Sequence, residues 1–342
     1  MGRLTGRRIV VAGAGAVGAV LALRLRDDGA EVLLTDPAPL GANASGVAAG
    51  MLAPAFEAAL DPVSAGHFEL LRKARDLWPG LAERTGVWLG RAGALWVGGE
   101  ASNAAVLDQL RGLGAAAEPV DAVAAGRLSQ GLTAPGGAVF TSEDWTLDPA
   151  PMLAGLRRVF EEEGGEVRTA AAQTWTGTAV GLSDGQNRPA DALVLASGLA
   201  AQGFERPPAE LTVLRPIKGQ LVGLAGEAPR EGPVVRGDGV YVVPREAGPI
   251  VGATMEPGAR DLTVDAAAVE RLRAAAAGLY RALATAPAST SAISGASSQP
   301  LRRAPMASQT AGVRLSPTRG RPSGVAARIP AAPLAGAVAS AR

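Results

Sequence analysis

Gly13-Ala14-Gly15-Ala16-Val17-Gly18 places three glycines at the spacing with which a chain approaches a dinucleotide pyrophosphate. Gly13 serves the tight turn, Gly15 lets the backbone come near the phosphate oxygens, and Gly18 lets the next helix pack close to its sheet. Ala16 and Val17 complete the turn and are read with the glycines as cofactor-binding, and the N-terminal amides of the helix that follows favour negative charge. Asp36 follows eighteen residues after Gly18, where a carboxylate accepts hydrogen bonds from adenosine ribose hydroxyls. An ordinary glycine turn is the alternative. It explains the glycines but leaves the acid at the end of the next strand without a purpose.

The remaining inventory removes most other chemistries. With no cysteine there is no disulfide, thiol nucleophile or thiolate metal site, and no metal is expected. His67 is the only histidine, so a Ser-His-Asp hydrolase or a multi-histidine metal centre has almost nothing to work with. His67 itself reads as an ordinary helix or surface residue. Hydrophobic residues make up 47% of the chain, yet no apolar run reaches the roughly 18 residues of a membrane span. No signal peptide is read at the N-terminus. The inventory suits a cytoplasmic enzyme that borrows its chemistry from a cofactor. A net charge of +1 suggests no nucleic-acid partner, but it hides an asymmetry. Seven arginines and no Asp, Glu or Lys follow Pro287, which leaves −6 for residues 1–286.

The elements that must position the glycine turn are legible around it. Arg8 to Ala12 reads as a buried strand, Ala19 to Asp28 as a helix stopped by Gly29, and Glu31 to Thr35 as a second strand. This strand-turn-helix-strand unit starts a parallel sheet. Helices are expected around His67 to Leu81, Met152 to Glu163 and Val264 to Ala284. Short strands are expected at Gly93 to Val97, Gly137 to Thr141, Asp191 to Ala196, Gly219 to Leu224, Gly239 to Val243 and Pro249 to Thr254. Because the parallel-sheet pieces lie far apart, two interleaved domains are expected. After Pro287 the periodicity stops, and the Ala-, Ser-, Pro-, Gly- and Arg-rich tail reads as disordered or aberrant.

The glycine motif alone does not separate NAD from FAD. Ala44 to Pro54, with Ser45, Ala49, Gly50 and Met51, is a run of small residues whose backbone amides can line an extended cofactor. A flexible loop is the other reading of this run. Asp191 to Gly198 is a buried strand whose terminal Gly198 can pass close to the same cofactor, or simply a buried strand.

Together these stretches resemble the FAD-dependent D-amino-acid oxidase family, most closely its glycine oxidase branch of thiamine synthesis. The resemblance runs over residues 7 to 285. It adds Glu143 to Pro149, Lys218-Gly219-Gln220, Gly239 to Arg245 and Val251 to Gly258 to the motifs above. It implies an α/β chain with a Rossmann-like FAD-binding domain, interleaved with an α+β substrate domain containing an antiparallel sheet and with the flavin at their interface. The FAD domain is expected over 1–80 and 150–210, the substrate domain over 81–149 and 211–286, and the tail over 287–342. The implied reaction oxidises glycine, sarcosine or a D-amino acid to the imine, with hydride transfer to the flavin and oxygen as electron acceptor. Tyr241 matches the family's substrate-side tyrosine and Met255 a pocket residue, with core packing the alternative for Met255. Arg245 lies in a matched motif as either a structural or a ligand-binding residue. Asp36 is one methylene shorter than the family's usual Glu. A homo-oligomer is left open. An NAD(P)-linked dehydrogenase fits the Ser45 to Pro54 run less well.

The family continues with a Trp-Ala-Gly-Leu-Arg-like strand, whose arginine clamps the substrate carboxylate, and an Asp-Gly-Leu-Pro-like turn. Neither stands in the tail. Met306 has the single codon ATG and Ala307 begins GC, so two bases on, the final G of Met306 and that GC encode glycine. Asp precedes it if the Pro305 codon ends in G, and Leu-Pro follows if those of Ala307 and Ser308 end in C. A frameshift around Arg281 to Ser297, in the gene or its record, is the reading, with a divergent tail as the alternative. The corresponding second function is a catalytically impaired flavin-binding remnant. Restoring the shifted frame is expected to raise peroxide formation per flavin from glycine, sarcosine or D-alanine. Equal activity of the two proteins would show the tail to be dispensable.

Overall fold

A computed structural model describes residues 2–211, 213–225, 231–237 and 239–297. The chain divides into two compact units. Unit 1 contains Met1–Gly46 and Ala150–Arg215; unit 2 contains Val47–Pro149 and Pro216–Gly295.

Unit 1 is built on a four-stranded parallel sheet in the order Ala192–Leu195, Arg8–Ala12, Glu31–Thr35, Glu166–Arg168. β-Branched and leucine side chains fill its two central strands, which are buried beyond their first residue. Helix Ala16–Asp27 joins those strands and buries Ala19, Ala22, Leu23 and Leu25. The Pro149–Glu162 helix buries Met152, Leu153, Leu156, Val159 and Phe160, a stripe at helical spacing. An antiparallel meander, Ala172–Trp175, Ala179–Leu182 and Asn187–Pro189, intervenes before the last parallel strand. Its Val180 and Leu182 pack with Val10 and Leu33 of the parallel sheet.

Unit 2 carries a nine-stranded mixed sheet. Its path runs Glu256–Pro257, Arg215–Leu224, Ile250–Gly252, Val240–Val243, Val234–Gly237, Ala94–Trp96, Ala138–Thr141, Ala117–Val120. The neighbours with resolved register are antiparallel except Val234–Gly237, which runs parallel to Ala94–Trp96. Alternation along the strands separates two cores. Trp96, Val139, Leu221 and Tyr241 pack with Phe56 and helix residues Val106 and Leu110. Leu95, Val222, Val240 and Val242 pack with Leu272, Ala276 and Leu279 of the Ala266–Leu279 helix.

The contacts place the first division at Gly46 rather than near residue 80. Met51–Leu52 pairs with Trp145–Leu147, and helix Pro54–Leu60 buries Phe56 in a unit 2 core, so residues 47–60 belong with the larger sheet. Beyond Pro287, Ala288–Ser297 forms a strand paired with Arg215–Leu224. Residues 298–342 lie outside the described residues, and with them Met306 and the Asp-Gly-Leu-Pro of the shifted frame. No helix among the described residues is long and apolar enough to cross a membrane.

Candidate functional site

The glycine turn of unit 1 is set by the backbone around it. Gly13 donates its N–H to the Thr35 carbonyl at 2.7 Å and turns with φ +106°. A Cβ there would stand 2.5 Å from the Ala196 carbonyl oxygen, and one at Gly18 only 1.8 Å from the Gly13 carbonyl oxygen. The fold itself requires these two glycines. Gly15 differs: it caps the helix with φ −70°, and a Cβ would meet only the Ser45 hydroxyl, at 3.1 Å. What a side chain at Gly15 would obstruct is chiefly the approach to the helix N-terminus. Ser45 Oγ accepts the Ala16 N–H at 3.0 Å, and Val17 is 46% exposed beside it. Gly198 opens a short turn with φ +55° two residues after Ala196.

Asp36 is oriented from two sides. Its Oδ2 accepts the Ala14 N–H at 2.7 Å and its Oδ1 the Ala38 N–H at 2.9 Å. Each carboxylate oxygen keeps a lone pair for a further donor. A cleft beside it is lined by Ala14, Asp36, Ala38, Asn43, Arg168 and Thr169. The Asp36 N–H donates to the Arg168 carbonyl at 3.1 Å, while the Arg168 side chain is held by Asp184 at 2.6 Å. Asn43, Arg168 and Thr169 were not singled out from sequence. The signal was Gly164-Gly165 ending a helix just before Glu166-Val167-Arg168, the usual place for another parallel strand.

Unit 2 gathers Ala49, Met51 and Tyr241 in one apolar cluster. Tyr241 lies opposite Gly252 and Arg236 in the ladders on either side of its strand. A Cβ at Gly252 would stand 2.3 Å from Tyr241 Oη, so the phenol needs a glycine beneath it. Its hydroxyl is buried without a hydrogen-bond partner among the described residues, and burial pushes its pKa up. Met255 is half-buried, just before the Glu256–Pro257 strand.

Two buried charged side chains that sequence alone does not single out, Asp144 and Arg236, and the half-buried Arg245 hold the segment that carries Ala49 to Glu57. Arg245 donates to the Ala49 and Leu147 carbonyls, the latter at 2.7 Å. Burial takes its pKa below the usual arginine value, although Asp148 opposes this. Asp144 accepts the Ala55 and Phe56 N–H groups at 2.8 and 3.2 Å. Arg236 donates to Glu57 at 2.8 Å and to the sulfur of Met51 at 3.6 Å, and its Nε lacks a partner among the described residues. Glu143 to Pro149 and Gly239 to Arg245 carry part of the resemblance, but nothing in sequence reveals that Asp144 and Arg245 point at one segment.

A model of a family described as FAD dependent oxidoreductase matches residues 8–321. The chain is 33% identical over 292 residues to the tRNA 5-methylaminomethyl-2-thiouridine biosynthesis bifunctional protein MnmC of a Caulobacter species, covering 82% of this chain. It spans only 45% of that protein. Among solved structures it resembles glycine oxidase from Geobacillus kaustophilus, with a TM-score of 0.74, 23% identity, and 86% of this chain and 84% of that one covered. Iminodiacetate oxidase from a Chelativorans species gives 0.73 and 24%, with 84% and 83% covered. These likenesses show the fold.

Two outcomes follow from the geometry. Gly15→Val is expected to fold but lose bound dinucleotide, whereas Gly18→Val loses the fold, as circular dichroism and cofactor titration of both variants would show. For Asp144, burial raises its pKa to about 6, with Arg236 and the two N–H groups opposing that shift. A carboxyl with a raised folded pKa contributes stability below its unfolded value of 3.8 and loses it as pH rises through about 6. Between pH 5 and 8 that loss is on the order of 1 kcal/mol. Asp144→Asn should therefore flatten the pH dependence of urea unfolding by about that amount, and an unchanged slope would contradict it.

Proposed function

This chain belongs to the FAD dependent oxidoreductase family, and on that footing we propose that it oxidises a small amine or amino acid to the imine. FAD is its cofactor. The glycine turn and Asp36 of unit 1 are read as holding the adenosine and diphosphate end of FAD, a reading supported by Gly15 leaving the helix N-terminus approachable and by Asp36 keeping acceptor capacity. When bound, FAD supplies the two-electron acceptor for a substrate C–H bond. The protein's part is to bind the substrate, orient it and exclude water.

The observation that carries the substrate side is Tyr241, a buried phenol whose hydroxyl has no hydrogen-bond partner among the described residues, supported on a glycine and flanked across the strand by Arg236. A hydroxyl kept dry and unpaired is costly unless a ligand group meets it. Tyr241 and Met255 are read as substrate-side residues, and Ser45, Ala49, Gly50, Met51 and Gly198 as further contacts to the cofactor. Glycine and iminodiacetate, named in the two structural likenesses, are both small amines bearing a carboxylate, and that supports the same substrate class here. Oxygen is read as the electron acceptor, with peroxide as product. A second reading, a flavin-binding chain lacking a rigid carboxylate clamp, draws on the seven arginines after Pro287 standing among no acids.

Anaerobic mixing of the yellow protein with glycine, sarcosine or D-alanine is expected to bleach the flavin, and air to give peroxide. Tyr241→Phe should lower turnover per bound flavin roughly tenfold, equivalent to one lost hydrogen bond of about 1.4 kcal/mol, while FAD occupancy holds. Retained flavin that none of the amines reduces would favour the second reading. Lost flavin with unchanged turnover per flavin would make Tyr241 structural.

A further inference from the structure

One guanidinium fixes the corner formed by Ala49 and Gly50. Arg245 follows the Val240–Val243 strand by two residues and donates from Nη2 to the carbonyls of Ala49 and Leu147. Its Nη1 donates to the Pro244 carbonyl at 3.0 Å. Between the anchored carbonyls Gly50 turns with φ +73°, and its own carbonyl accepts the Leu147 N–H at 2.9 Å. A Cβ on Gly50 would stand 2.0 Å from the Leu147 carbonyl oxygen and 2.8 Å from Arg245 Nη2. The corner therefore holds one shape as long as the guanidinium stays.

That arrangement is an expensive way to place a loop. Asp148 supports the charge of this half-buried guanidinium from nearby, while its hydrogen bonds all go to main-chain carbonyls. The immobilised residues stand at the centre of the small-residue run Ser45 to Pro54. We propose that Arg245 is a positioning residue for the flavin, holding the Ala49–Gly50 backbone in the conformation that lies along the isoalloxazine. This rests on the reading that the Ser45 to Pro54 run lines the cofactor. Carbonyls drawn toward Arg245 cannot turn to the flavin, so the backbone presented to the ring is fixed in its polarity as well as its shape. A lysine can reach the same carbonyls as a single point donor but cannot reproduce the planar fork.

The test uses full-length flavoprotein carrying Arg245→Met, Arg245→Lys or Met51→Leu. It reads FAD affinity, the visible flavin spectrum and the affinity for sulfite, which adds to the flavin ring and reports its electron demand. Arg245→Met should weaken both FAD and sulfite binding roughly tenfold, the scale of one hydrogen bond to a charged group, and Arg245→Lys should recover part of both. Sulfite affinity and spectrum within about twofold of the parent, with only thermal stability lowered, would overturn the proposal. If Arg245→Met does not fold, Arg245→Lys decides: a few-fold shift in sulfite affinity supports the proposal, and equality with the parent overturns it. A response from Met51→Leu but not from the Arg245 variants would leave the run on the flavin and remove Arg245 from its support. No response from any of the three would overturn the reading of the run itself, and the proposal with it.

Discussion

Residues 49 to 57 are packed into a core of unit 2, and the charged groups around them fix where their backbone runs. Arg245 takes the Ala49 carbonyl, Asp144 takes the Ala55 and Phe56 amides, and Arg236 takes Glu57. Burial of each charge is unfavourable, and each is compensated only while its partner stays in position. Breaking the buried Arg236–Glu57 ion pair costs about 3–5 kcal/mol, well above the roughly 1 kcal/mol of a neutral hydrogen bond. The segment is thus tied to the large sheet of unit 2 by interactions that tolerate very little movement. Tyr241, Met51 and Phe56 share a core of unit 2 with that segment.

Unit 1 uses a different economy of means. There the main chain shapes the site, through Gly13 against Ala196, Gly18 against Gly13, and Asp36 receiving two backbone amides. Asp36 braces the turn and keeps capacity for a ribose at once, which explains why an acid belongs at the end of that strand. Helix packing and ligand approach are divided between Gly18 and Gly15, so the three glycines are not equivalent.

How much of this could be read from the amino acids depended on distance along the chain. The Arg8 to Asp36 unit was legible because its strand, turn, helix and acid lie within thirty residues and each follows a local rule. Tyr241 facing away from Val240 and Val242 was legible from strand alternation, and the two cores separate them in that way. The meander from Ala172 to Pro189 was missed because its strands are three or four residues long and rich in Ala, Gly and polar residues. The helix Glu100–Gly112 was missed because its buried residues, Val106, Leu107 and Leu110, occupy only its second half. The ties of residues 49–57 are not legible from sequence because Asp144, Arg236 and Arg245 lie about 90 to 200 residues further on. Long-range ionic contacts leave no periodic trace.

The parallel sheet of unit 1 also sets a timetable. Its second strand in spatial order, Arg8–Ala12, is the first to leave the ribosome, and its neighbour Ala192–Leu195 follows 180 residues later. At 5–20 residues per second that is an interval of about 10–40 s. Through that interval Arg8–Ala12 has one flank of unpaired amides and carbonyls, while the first segment of unit 2 is made in between. An apolar strand with an open edge is a template for wrong pairing. Unit 1 therefore cannot mature from the N-terminus outward, and a nascent chain cut anywhere before residue 192 exposes that edge permanently.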